Sequence, residues 1–208
     1  MNLPDFLINV DNYLIPGKNG LIDKIKFIKD ACIFFEQDFI CKSVFWNKIK
    51  VGVRSKKLDC SICNNDCNND FCTCSDCPWA NKLDIFQHVT SDYDPHLENK
   101  LTKEAFKKLK KRRKTDPDYK VRTPGIYCRS RTNRIKWLKL IIEDIDNDDI
   151  ITKISRTRIN EEKIKIYHQK QNYLIILSRT EFKDGTFEIF LNSAYHKPYQ
   201  SLLRDIYK

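Results

Sequence analysis

The stretch Asp59–Ala80, DCSICNNDCNNDFCTCSDCPWA, limits what this chain can become more than any other segment. Six of the nine cysteines lie in it, at Cys60, Cys63, Cys67, Cys72, Cys74 and Cys77. It has almost no aliphatic residues, so it cannot fold by burying a core of its own, and its sulfurs must cross-link it. Cys60-x2-Cys63 and Cys74-x2-Cys77 have the spacing at which two thiolates on one tight turn reach a single tetrahedral ion. The N-terminus MNLPDFLINV has no basic-then-apolar signal pattern, so the chain is expected in a reducing cytoplasm, where disulfides are rare. A structural zinc is therefore the leading reading. Cys60, Cys63, Cys74 and Cys77 form the simplest ligand set, and Cys67 and Cys72 would complete a two-metal cluster with shared thiolates. A catalytic zinc keeps an open position and has His or carboxylate ligands, so this module reads as a staple.

Cys77-Pro78 also matches the end of a ferredoxin-type run, which keeps an iron–sulfur cluster open as the alternative, with disulfides or free thiols behind it. Among 208 residues there is room for one large domain or two small ones. No apolar run is long enough for a membrane helix. With only five glycines, a Gly-rich nucleotide-binding fold is disfavoured, and no phosphate-loop pattern occurs. The net charge of +10 points to a polyanion partner, RNA or DNA. A Lys-, Asn- and Ile-rich composition is the competing explanation of that charge.

Four segments follow in chain order. Residues 1–57 read as a helical N-terminal region. Leu21, Ile25, Phe27, Ile28, Cys32 and Phe35 recur at helical spacing, and Cys32 reads as a buried small hydrophobe. DFICKSVFWNKIKVGV is either a short helix or a strand, and the isolated Cys41 is expected to be buried. Residues 58–80 are the cysteine module. Residues 81–114 begin as a loop, with His88 and His96 as surface histidines, and continue from Thr102 into the helix TKEAFKKLKKRRK. Lys107, Lys108, Lys110, Lys111, Arg112, Arg113 and Lys114 crowd seven cations into eight positions. Such a run repels itself and is relieved by an anion, so phosphate-backbone contact is expected, against the plainer reading of a solvated helix end.

Residues 115–208 open with a linker, TDPDYKVRTPG, and then read as one compact α+β unit. A helix spans about 132–143. Alternating Lys163–His168 is a half-buried strand, YLIIL at 173–177 a central strand, Asp184-Gly185 a hairpin turn, 187–195 a third strand, and 201–208 a closing helix. Residues 145–160 read as irregular. The order of helix, antiparallel meander and terminal helix defines the α+β class. On the helix, Arg131 and Arg134 extend the apolar arc of Ile135, Leu138, Ile141 and Ile142. Strand alternation places Ile164, Ile166 and His168 on one side, and Ile189, Leu191, Ser193 and Tyr195 on one side. If these faces meet, Arg131, Arg134, His168, Ser193 and Tyr195 gather at one core edge. That set suits metal-independent RNA cleavage, with His168 as base or acid, the arginines as phosphate clamps, and Tyr195 or Ser193 as donor.

Arg131–Ile142 (RTNRIKWLKLII), Tyr173–Leu177 and the hairpin into Phe190–Tyr195 (FLNSAY) resemble the phage-associated nuclease superfamily that groups barnase, EndoU, colicin E5/D and RelE. The resemblance covers roughly the last 80 residues, by order and pattern. It implies a helix followed by an antiparallel sheet, a ribonuclease of phage or mobile-element type, and an inhibitor or immunity partner. The matching positions are Arg131, Arg134, Ser193 and Tyr195. Where members place a histidine in the helix, this chain has Arg134 and Trp137. The alternative function is a zinc-stapled nucleic-acid-binding module without chemistry. A redox protein with an iron–sulfur cluster is a third class.

Overall fold

The computed structural model describes residues 23–55, 83–92, 126–158, 161–198 and 200–207, together with Lys107, Lys110, Lys111 and Lys114. Helix α1, Lys24–Glu36, is started by Asp23, whose carboxylate accepts from the Lys26 amide at 3.0 Å. Phe27, Ile28, Ala31, Cys32 and Phe35 form its buried stripe. A π-helical turn, Gln37–Cys41, closes it. The ambiguous stretch after it is a β-hairpin, β1 (Val44–Trp46) and β2 (Ile49–Gly52). Its two-residue turn holds Asn47 at φ 47° and Lys48 at φ 65°, the left-handed pair that matches the twist of a tight hairpin. Cys41 is exposed rather than buried, because it sits on the outward side of the π turn.

The segment 83–92 is not simply loop. Helix α2, Asp84–Thr90, buries Phe86 and Val89, and it runs into β3, Ser91–Asp92, which pairs with β4, Ile126–Tyr127. The single helix expected over 132–143 is two: α3, Arg129–Asn133, and α4, Trp137–Glu143. They are separated at Arg134, where the backbone leaves the helical region at φ −96°, ψ 14°. Four long strands follow: β5 (Ile150–Arg158), β6 (Glu161–His168), β7 (Tyr173–Glu181) and β8 (Phe187–His196). The expected irregular region 145–160 thus contains a strand. Helix α5, Gln200–Tyr207, ends the described chain.

The fold is α+β. Its sheet has six strands in the order β1-β2-β8-β7-β6-β5, antiparallel except where β2 lies parallel to β8. One face carries Ile164, Ile166, Ile175, Leu177, Ile189 and Leu191 into a core shared with Phe27, Phe35, Val44, Val51, Phe86, Leu138 and Ile141. The other face has a smaller cluster, Tyr167, Leu174, Ile176 and Tyr195, under Ile206 of α5. Residues before the cysteine module therefore share one core with residues after the expected linker, so a boundary at 115 does not divide the core.

Strand β8 does not alternate throughout. Leu177 pairs with Leu191 but Ile176 pairs with Ser193, leaving Asn192 as an extra residue in a β-bulge. Ile189 and Leu191 face the main core. After the bulge Ala194 takes that side, and Ser193 and Tyr195 lie on the other. The expected common side for Leu191, Ser193 and Tyr195 is corrected by this one residue, since a shift of one flips every later side chain.

Candidate functional site

Strand β2 pairs with β8 only at Ile189 and Phe190. Beyond that point α2 packs against β8, and side chains from α2 and α3 reach residues of both sheet faces there. His88 of α2 places its Nε2 2.9 Å from the Ser193 hydroxyl. Arg131 of α3 donates from Nη1 to the Ser91 carbonyl at 2.7 Å, and its guanidinium lies 5.2 Å from the Tyr195 ring centroid. The Thr132 hydroxyl and the Cys128 amide both reach the Thr90 carbonyl, which ties α3 to the end of α2. Three of the five expected catalytic residues, Arg131, Ser193 and Tyr195, thus come together. His88, which the sequence presents as a surface histidine, joins them. Its signal is its place beside Phe86 and Val89 at helical spacing, which a loop reading hides. The cluster is closed: Arg131 is 7 % exposed, Ser193 3 % and Tyr195 8 %.

Arg134 and His168 stand apart from it. Arg134 bonds the Ser130 carbonyl at 2.7 Å and lies over Trp137 at 4.8 Å. With Cys128, Arg129, Ser130 and Asn133 it lines an open pocket of about 510 Å³. Burial holds the Tyr173 hydroxyl well above its ordinary pKa, against the pull of Arg131 and Arg134. His168 pairs with Tyr173 and projects from the main-core face, opposite Ser193 and Tyr195, because of the bulge in β8.

His168 is buried and its Nδ1 has no hydrogen-bond partner. Burial lowers its pKa, opposed by Asp149, whose carboxylate is also 2.9 Å from the Lys170 ammonium. The unfolded chain therefore takes up this proton more readily than the folded one. His168 contributes stability that is complete above its ordinary pKa near 6.5 and is lost as pH falls through the lower folded value. In thermal melts from pH 7 to pH 5, His168→Phe should lose less stability than the parent chain. Equal losses would show that His168 is not the group protonated on unfolding.

The second face of the sheet carries another arrangement. Cross-strand partners share a face, so the pairing defines rows. One row is Lys153, Lys165, Ile176 and Ser193; the next is Ser155, Lys163, Ser178, Phe190 and Gly52. Arg54, two residues beyond Gly52, sets its guanidinium 5.7 Å from the Phe190 ring centroid. These two rows hold lysines, hydroxyls and one aromatic ring, with no carboxylate. The row under α5 is apolar (Ile151, Tyr167, Leu174, Tyr195), and the row on the far side holds Arg158, Glu161, Thr180 and Glu188. A cationic band therefore crosses the strands between an apolar border and one of mixed charge. Lys153 and Arg54 are exposed, Ser155, Lys163 and Phe190 half-buried, and Lys165, Ile176, Ser178 and Ser193 buried. Lys153, Lys163 and Lys165 lie within twelve residues of one another in the sequence, but Arg54 lies about a hundred residues before them.

Of the lysine-rich run, Lys107, Lys110, Lys111 and Lys114 are exposed, the first three in helical conformation. Lys108, Arg112 and Arg113 lie outside the described residues, as do Cys60, Cys63, Cys67, Cys72, Cys74 and Cys77. Among the described residues no group of three or more His, Cys, Asp or Glu side chains is placed to hold a metal ion. No described helix is long and apolar enough to cross a membrane. No protein-family model, curated protein or solved structure matches the chain.

Proposed function

We propose that this protein binds nucleic acid, with the cationic band across β5–β8 as its contact surface. The observation that carries the reading is the pair of rows, free of carboxylates, in which the exposed Lys153 and half-buried Lys163 share one sheet face with the exposed Arg54 beside them. Lysine ammonium groups and an accessible hydroxyl such as that of Ser155 are side chains that bond phosphate oxygens, and like charges on one sheet face are relieved by a polyanion. The net charge of +10 and the lysine-rich run through Lys107–Lys114 add attraction at longer range. A zinc held by the Cys60-x2-Cys63 and Cys74-x2-Cys77 knuckles would staple the segment between β2 and α2, a reading supported by spacing alone.

The test is anisotropy with labelled oligonucleotides over a range of salt. Affinity should fall with salt. The double variant Lys153→Glu/Lys163→Glu should bind about 100-fold more weakly, two charged contacts at ~1.5 kcal/mol each. Its salt slope should drop by about 0.7 for each phosphate that the band no longer neutralises. An unchanged slope in a folded variant would remove the band from the interface.

One geometry favours the ribonuclease reading as a second possibility. His88, Ser193, Arg131 and Tyr195 are the residue types needed for a base, a donor and a phosphate clamp, and His88 meets Ser193 at 2.9 Å. In that reading His88 replaces His168 as the proton-transfer group, since His168 faces the opposite side. The near-complete burial of Arg131, Ser193 and Tyr195 ranks it below binding, which needs only the exposed Lys153 and Arg54 and the half-buried Lys163 of the band. Incubation with RNA, with and without chelator, decides between them: cleavage lost in His88→Ala supports the enzyme, and intact RNA under binding conditions supports the module.

A further inference from the structure

Phe190 is an oddity of the cationic band: a half-buried aromatic ring on the row of Ser155, Lys163, the buried Ser178 and Gly52. Its seat is specific. A Cβ added at Gly52 would stand 3.3 Å from two carbons of the Phe190 ring, so the ring lies across the one position in β2 that has no side chain. The Arg54 guanidinium, itself exposed, stands 5.7 Å from the ring centroid. Elsewhere in the molecule Arg179 sits 4.2 Å from the Phe187 centroid, so the Arg54 approach is the looser of the two. Phe45, 44 % exposed, pairs with Lys50 on the hairpin at the same end of the sheet. The band thus begins at an aromatic ring flanked by an exposed cation and continues past the buried Ser178 to the half-buried Lys163 and Ser155 toward the β5 edge.

We propose that Phe190 is a stacking platform for an unpaired base and that the band takes single-stranded nucleic acid, with Arg54 closing over the base. This rests on the nucleic-acid reading above and adds to it the state of the strand. Three physical points lead here. A flat aromatic ring offers nothing to a phosphate but a full π-face to a base. Guanidinium planes stack on bases as they do on aromatic rings. From β8 to β5 the band crosses three strand spacings, about 14 Å, the reach of a few nucleotides of extended strand and too short for a duplex footprint. In a duplex, moreover, the bases are stacked on each other and have no free face to offer.

The experiment compares four probes of one length: a single strand with bases, the same strand with abasic sites throughout its centre, the duplex, and an unlabelled polyanion competitor. Strands are run as RNA and as DNA, which identifies the sugar preferred. The variants are Phe190→Leu, which keeps apolar volume on the strand, and Phe190→Trp, which keeps a π-face. Melting temperatures confirm that both fold. The expected result is tighter binding of the based strand than of the abasic strand and the duplex. Phe190→Leu should weaken binding of the based strand about tenfold or more, leave the abasic strand unchanged, and be rescued by Phe190→Trp. Equal binding of based and abasic strands by the parent chain, or equal losses on every probe in Phe190→Leu, overturns the stacking platform and leaves phosphate binding standing. Failure of the parent chain to bind any probe overturns both readings.

Discussion

A fragment beginning at residue 115 should fail to fold, although the sequence reads 115–208 as one compact unit. The fragment keeps β5–β8 and α3–α5 but loses α1, α2 and the β1–β2 hairpin. Phe27, Ile28, Phe35, Val44, Val51 and Phe86 are at most 2 % exposed, and all pack into the core that Leu138, Ile166 and Ile189 occupy. Burying such side chains contributes about 1.5–3 kcal/mol each, so six contribute ~9–18 kcal/mol. The net stability of a domain is only ~5–15 kcal/mol. Removing them exceeds or matches the whole margin and strips the partner strand from β8. Circular dichroism and amide dispersion of the fragment are the measurements. Cooperative melting of the isolated fragment would mean that residues 115–208 hold a core of their own and that the shared core is incidental. The point substitution Val51→Asp in the full chain makes the same test, since it puts a carboxylate between β1 and β8 at a site with no exposure.

Arg131→Ala should cost about 3 kcal/mol, which for a chain of this size lowers the melting temperature by roughly 6–12 °C. The guanidinium is buried, bonds the Ser91 carbonyl at 2.7 Å and lies over the Tyr195 ring. A hydrogen bond from a charged donor is worth ~1.5–3 kcal/mol and a desolvated cation–π contact up to ~2. Arg131→Lys should recover little, because an ammonium cannot hold the carbonyl and cover the ring together. The result separates two roles. A large loss of stability marks Arg131 as the clip that joins α3, β3 and β8. Unchanged melting with lost RNA cleavage would mark it as a phosphate clamp and restore the ribonuclease reading.

Local pattern carried much of the fold. Period-3.6 spacing in α1, alternation in β6, the apolar run of β7 and the Asp184-Gly185 turn all depend on near neighbours. Gly185 sits at φ 80°, and Asp184 accepts from the Thr186 amide at 3.0 Å, as such a turn requires. The hairpin at Asn47-Lys48 was less legible, because Phe45, Trp46, Ile49 and Val51 suit a helix or a strand until a partner strand is known. Its partner, β8, lies about 140 residues later.

The candidate sites divide along the same line. The burial of Arg131 was reachable from sequence because an arginine on an apolar helical arc must either snorkel or be buried, but its meeting with Tyr195 came through a strand bulge and a helix break that the pattern did not contain. His88 was missed because seven helical residues flanked by turn-formers carry too little periodicity. His168 was set on the wrong side of the cluster because an extra residue, Asn192, reverses alternation in β8, and nothing local distinguishes a bulge from an ordinary strand position. Of the cationic band, the alternation that puts Lys163 and Lys165 on one side of β6 was legible, but Lys153, Phe190 and Arg54 join it only through strand register. What the sequence by itself determined is what spacing within one element decides: helix faces, strand alternation and tight turns. Only the tertiary structure decided which strands are neighbours, that 24–52 and 126–207 build one core, and which charges share a face. Those depend on contacts between residues distant in the chain, whose free energy is gained only when the whole sheet has formed.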